Sequence, residues 1–176
     1  MNGAIAANGF VILWAELKRR FLAPVGHVTF WAYLIVGVVI FGGLAVWLET
    51  FLYLTSNLSE SASHLRIALI AFFPALMGSV SVQLIFEEAG RNKRMLAFAI
   101  FVMVVFVLVG SILIVVRTID NHVAIPVAFG SCVLAVLQWW IANGLNPTFQ
   151  DDLNIEASVG GPPSQSPPGD LTGFRT

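Results

Sequence analysis

The chain has 176 residues, of which 57% are hydrophobic and only 11% charged. Soluble domains carry about 25% charged residues, so this balance asks for an apolar solvent and excludes a chain disordered throughout. The net charge of −1 leaves no global basic field for nucleic acid, and the single cysteine, Cys132, excludes an intrachain disulfide.

The first element is Ile5 to Leu22. Its apolar part, Phe10 to Ala15, is too short to span a bilayer. Lys18, Arg19 and Arg20 follow the apolar run, whereas a signal peptide carries its cations before it. The pattern predicts a short amphipathic helix in the membrane interface, with Trp14 at headgroup depth and the basic triplet near phosphates. A helix packed on a bundle without touching lipid is the alternative. Pro24 ends it, having no N–H and disfavouring the helical region for Ala23.

Val28 to Leu48 is predicted as the first span, with Trp31 and Tyr33 near one end and Trp47 and Tyr53 near the other as aromatic belts. Gly37, Gly42 and Gly43 thin part of it, which allows close approach by a neighbour. Glu49 to Arg66 reads as a polar loop, and Asn57-Leu58-Ser59 within it matches a glycosylation acceptor. Ile67 to Phe86 is the second span. Pro74 inside it predicts a kink, and Gly78, Ser79, Ser81 and Gln83 follow. Gln83, Glu87 and Arg91 share a face at i, i+4, i+8, and Ser81 and Glu88 share another.

Gly90 to Arg94 is a tight basic turn. Met95 to Val116, MLAFAIFVMVVFVLVGSILIVV, is the clearest segment: no charge, no proline and one hydroxyl, Ser111. As a helix it is about 33 Å long, enough for a hydrocarbon core of about 30 Å. After a short loop with Asp120, Val123 to Ala142 is the fourth span. Pro126 is in its first turn, Ala128, Ser131, Cys132 and Ala135 form a small face suited to helix packing, and Trp139 and Trp140 lie at its end. From Asn146 the composition turns acidic and then to GGPPSQSPPGD, too polar to bury a core and expected to be disordered.

The expected organisation is an all-α integral membrane protein. An interfacial helix over 1–24 precedes four transmembrane helices over 25–147, and 148–176 form a disordered cytoplasmic tail. Seven of the nine Lys and Arg residues fall on one side of such a four-pass plan, leaving Arg66 and Arg117 on the other. The positive-inside rule then puts both termini in the cytoplasm.

Chemistry is sparse. No charge lies in the middle of a span, no Walker loop, GxSxG or HExxH occurs, and His27, His64 and His122 sit near different interfaces. The expectation is a non-enzyme with no cofactor, no metal and no direct nucleic acid binding. The sharpest feature is the polar stripe Ser79, Ser81, Gln83, Glu87 and Glu88. It is read either as a pore lining completed by symmetric copies or as helix-packing glue with a Glu87–Arg91 ion pair. Lys18, Arg19, Arg20, Arg91, Lys93 and Arg94 are candidate contacts for anionic lipid or a soluble cytoplasmic partner.

The plan of basic interfacial segment, four spans, short loops and polar tail resembles the small membrane subunit of the bacterial Kiwa anti-phage defence system. The likeness covers residues 10 to 147 and rests on architecture, with no residue roles carried over. It implies a homo-oligomeric membrane sensor in the cytoplasmic (inner) membrane of a bacterium, anchoring a cytoplasmic effector. The alternative is a homo-oligomeric ion channel, pore-forming effector or small transporter.

Overall fold

A computed structural model describes residues 8–55, 58–116 and 119–151, with 58–61 described in backbone only. Every regular element among these residues is helical. Helix α1 spans Gly9–Leu22, and the Asn8 carboxamide opens it by accepting from the Phe10 N–H at 3.1 Å. A 3₁₀ turn over Ala23–Gly26 carries Pro24. The chain then turns by 95° into the next apolar stretch.

That stretch is not the single helix expected over Val28 to Leu48. It starts as α2 (Val28–Ala32), loosens into a π-helical run over Tyr33–Gly42, breaks at Gly43, and resumes as α3 (Leu44–Thr55). Three glycines in seven residues remove side-chain packing and favour a local change of winding. At the break the Val39 carbonyl accepts from the Trp47 indole N–H at 2.8 Å.

The expected loop between Glu49 and Arg66 is also mostly helix. α3 continues to Thr55, and α4 begins at Leu58 and runs to Glu88. Ser, Thr and Glu weaken a helix only slightly, and here each flank extends an apolar helix already packed. The glycosylation match falls partly outside the described residues. Pro74 lies inside α4 without ending it.

α4 ends because Gly90 takes φ of +84°, a left-handed conformation that a side chain resists. Asn92 opens α5 (Lys93–Val115), its side chain accepting from the N–H groups of Arg94 and Met95. Lys93 and Arg94 thus belong to the first turn of α5 rather than to the connecting turn. Asp120 caps α6 (Asn121–Asn143) through the His122 N–H.

The bundle is built on α4. α6 runs parallel to it: the Cys132 thiol meets the Leu69 carbonyl part-way along, and Gln83 meets Asn143 further toward the C-terminal ends. The small face Ala128, Ser131, Cys132 and Ala135 is buried in the core with Leu69, Phe73 and Met77. That face is therefore used within the chain. α5 runs antiparallel to α4, with Gly110 against Phe73 and Pro74. A second core cluster joins Val80 and Leu84 to Met95, Ala99 and Ala142.

The segment Val28–Thr55 starts beside Asp151, just beyond α6, and Tyr53 shares a cavity wall with Asp120 and His122 at the start of α6. It thus lies along the bundle from one end toward the other. Ala62–Glu88, Lys93–Val115 and Asn121–Asn143 are each long and apolar enough to cross a membrane. Lys93–Val115 has a mean hydropathy of 3.2 and buries only 17% of its most apolar window inside the protein. The remainder is an apolar exterior that water does not solvate well, which supports membrane association.

Candidate functional site

The charged residues gather where α1 meets the bundle. α1 carries Glu16, Arg19 and Arg20 within one turn. Glu16 accepts from Arg19 at 2.8 Å and from the Arg20 Nε at 3.0 Å. Partial burial pushes the Glu16 carboxyl up, but hydrogen bonds from Arg19 and Arg20 outweigh it and hold the group below its ordinary value. Arg20 also donates to Glu88 at the end of α4, and both partners of that pair are buried. Arg20 thus bridges two carboxylates from two elements through its Nε and Nη2 groups.

Arg20 is accordingly not the lipid-facing or partner-facing cation expected from the basic triplet. The helical period turns it inward while Lys18 and Arg19 stay exposed. Arg91, Lys93 and Arg94 are exposed as well. The expected Glu87–Arg91 ion pair does not form among the described residues. α4 stops at Glu88, which takes Arg91 out of the i+4 register, and Glu87 accepts from the Gln83 amide at 2.8 Å instead.

The polar stripe divides. Ser81 and Glu88 are buried, Ser79 and Glu87 are exposed, and Gln83 is half-buried. Gln83 donates to Glu87 and, at 3.2 Å, to the Asn143 side chain of α6. The Ser79 hydroxyl turns back to the Leu76 carbonyl. Ser81 Oγ and Gln138 Nε2 are buried with no hydrogen-bond partner among the described residues.

Docking of α1 on α6 completes the site. Phe21 stacks on Trp140, and the Trp140 indole donates to the Phe21 carbonyl at 2.8 Å. Gly144 lies so near the Arg20 backbone that any added Cβ collides with the Arg20 carbonyl. Leu13 and Leu17 pack on the second core cluster, while Phe10, Val11 and Trp14 point away, 63–80% exposed. α1 thus both docks on the bundle and keeps an apolar outer face.

The residues after α6 return to the same end. Phe149 joins Phe30, Tyr33 and Trp139 in an aromatic cluster. Asp151 accepts from the Val28 and Thr29 N–H groups at 2.5 and 3.1 Å, and its own N–H donates to His27 Nδ1. Hydrogen bonding to Thr29 leads the causes that lower the Asp151 carboxyl, as a helix N-terminus favours an anion. Residues 148–151 of the expected tail are thus held at this end by the Phe149 ring and the Asp151 carboxylate. The remaining tail lies outside the described residues.

Together α1, the α4–α5 turn and the segment after α6 enclose a cleft of about 420 Å³. Its walls are Glu16, Arg19 and Arg20 from α1, Glu87 and Glu88 from α4, Arg91 and Asn92 from the turn, and Ala142 to Pro147 in part. Both signs of charge converge there, which suits recognition of charged side chains. Glu16 could have been paired with Arg19 and Arg20 from i, i+3 and i+4 spacing alone. Asn143, Asn146 and Asp151 carried no such signal. Comparison with protein-family models, with curated proteins and with solved structures returns no match.

Proposed function

We propose that this chain is a non-catalytic, four-pass integral membrane protein that anchors or regulates a soluble cytoplasmic partner. One observation carries the reading: α1, the α4–α5 turn and the segment after α6 all meet in one charged cleft, with Lys18, Arg19, Arg91, Lys93 and Arg94 exposed around that end. At the opposite end Arg66 is engaged with backbone carbonyls. Among the described residues this asymmetry in exposed cations agrees with the positive-inside rule, with the cleft on the cytoplasmic side of a bacterial inner membrane. The 95° turn before α2 suits a helix lying along the surface next to one that crosses. A homo-oligomeric sensor of the Kiwa type is the specific form of this proposal.

Orientation is tested by Lys93→Cys, since the native Cys132 is buried. Maleimide should label that position in inverted vesicles and not in sealed right-side-out ones; the reverse pattern overturns the reading. Partner recruitment is tested by affinity capture from detergent with Arg19→Glu and Arg91→Glu. Recovery of a specific protein should fall in both, and equal recovery removes the cleft from the account.

A homo-oligomeric channel is the second reading. Ser79, Gln83 and Glu87 recur every four residues on one outward part of α4, and copies of the chain could close a polar path there. Ion flux into liposomes should fall with Gln83→Leu and Glu87→Gln together; a wild type without flux ends this reading.

A further inference from the structure

Between the first turns of α1 and α5 lies a second groove, of about 610 Å³. Its walls are Phe10, Leu13, Ala97, Phe98 and Phe101, and Arg94 stands at its head. Phe10 and Phe101 are 80% and 67% exposed, so the walls are open to whatever surrounds the bundle. Arg94 lies against α1, where a Cβ on Gly9 would stand 3.6 Å from its Nε. Its guanidinium has no carboxylate within ion-pair distance among the described residues.

No Asp or Glu lines the groove, and neither α1 nor α5 has an acidic residue in its first turn. Two helix N-termini and an unpaired guanidinium thus meet above an apolar trough. Glu16, the acidic residue of α1, is already held by Arg19 and Arg20 and does not line the groove. The combination of a cation at headgroup depth and an apolar slot below it matches one amphiphile: an anionic head on an acyl chain.

We infer that this groove binds an anionic phospholipid of the bilayer, its phosphate on Arg94 and one acyl chain between Phe10, Phe98 and Phe101. The inference rests on the membrane reading above. Bound lipid fills the gap between the start of α1 and α5 and ties the surface helix to the leaflet charge.

The test is native mass spectrometry of the full chain in detergent, titrated with phosphatidylglycerol or with phosphatidylcholine of the same acyl chains. Phosphatidylglycerol should be retained about fivefold more strongly, the preference one membrane-facing cation supplies. Arg94→Ala should abolish that preference, Arg94→Lys should keep most of it, and Lys18→Ala should leave it unchanged. Ala97→Trp, which fills the trough and spares the charge, should lower retention of both lipids. Equal retention of the two lipids by the wild type overturns the inference, as does undiminished preference in Arg94→Ala or displacement of the lipid by inorganic phosphate. A chain that dissolves without detergent and retains neither lipid overturns the membrane reading itself.

Discussion

At the α1 end of the bundle, Arg20 is buried between Glu16 and Glu88, carboxylates from two different helices. At the other end, Arg66 of α4 reaches across to the C-terminal end of α5. It donates to the Leu113 carbonyl at 2.7 Å and to the Ile119 carbonyl at 2.9 Å. The first arginine neutralises Glu88, a buried carboxylate for which no other cation lies within ion-pair distance among the described residues. The second meets carbonyls that a helix end leaves unpaired, where the helix dipole welcomes a cation. Arg20 therefore joins its elements through a matched set of charges, and Arg66 joins α4 to the α5–α6 region through neutral acceptors.

Breaking the matched set should have the largest effect. Arg20→Met leaves Glu88 buried without its cation and should cost about 3–5 kcal/mol, read as a lower melting temperature in detergent. Arg20→Met with Glu88→Leu should recover most of the loss, because an apolar pair needs no neutralisation. If the double variant is no more stable than the single one, the charges are not the reason for the loss. Arg66→Met should cost less, about 1.5–3 kcal/mol for charge-assisted bonds to carbonyls. Its effect should appear as faster proteolysis of the α5–α6 connection with α1 still docked.

Acid sharpens the contrast further. The folded-state values of Glu16 and Asp151 are lowered, so their contribution is complete above the ordinary carboxylate range of about 4 and fades as pH falls through the lowered values. Melting in detergent should show α1 and the Phe149–Asp151 segment loosening below about pH 4, ahead of the Arg66 end, whose acceptors do not titrate. The smallest effect belongs to Glu87→Gln. The side chain is exposed and keeps an acceptor for Gln83, so stability should change by less than about 0.5 kcal/mol.

Much of the bundle was legible in the residues. The charge-free run that starts at Met95 appears as α5, and the small face of Ala128, Ser131, Cys132 and Ala135 packs as its spacing suggested. Apolar length and small-residue period are local signals, and local signals survive folding. The break at Gly43 was not legible, because a run of Val, Ile and Gly reads the same in α and π winding. Nor was the helical character of the region around Glu49 and Arg66, where packing overrides a polar composition. The Arg20–Glu88 pair spans 68 positions, and no periodicity links residues at that distance. Inward and outward members of the stripe could be separated only once the neighbours of α4 were known.

The right-angle turn at His27 has a mechanical consequence. On the proposed membrane reading, α1 would act as an outrigger clamped to the hull at Arg20 and Trp140, with the exposed Phe10, Val11 and Trp14 resting in the headgroup layer. Rocking the bundle would lift those side chains out or drive them under, so the protein's attitude and immersion become tied to the local thickness and tension of the sheet around it.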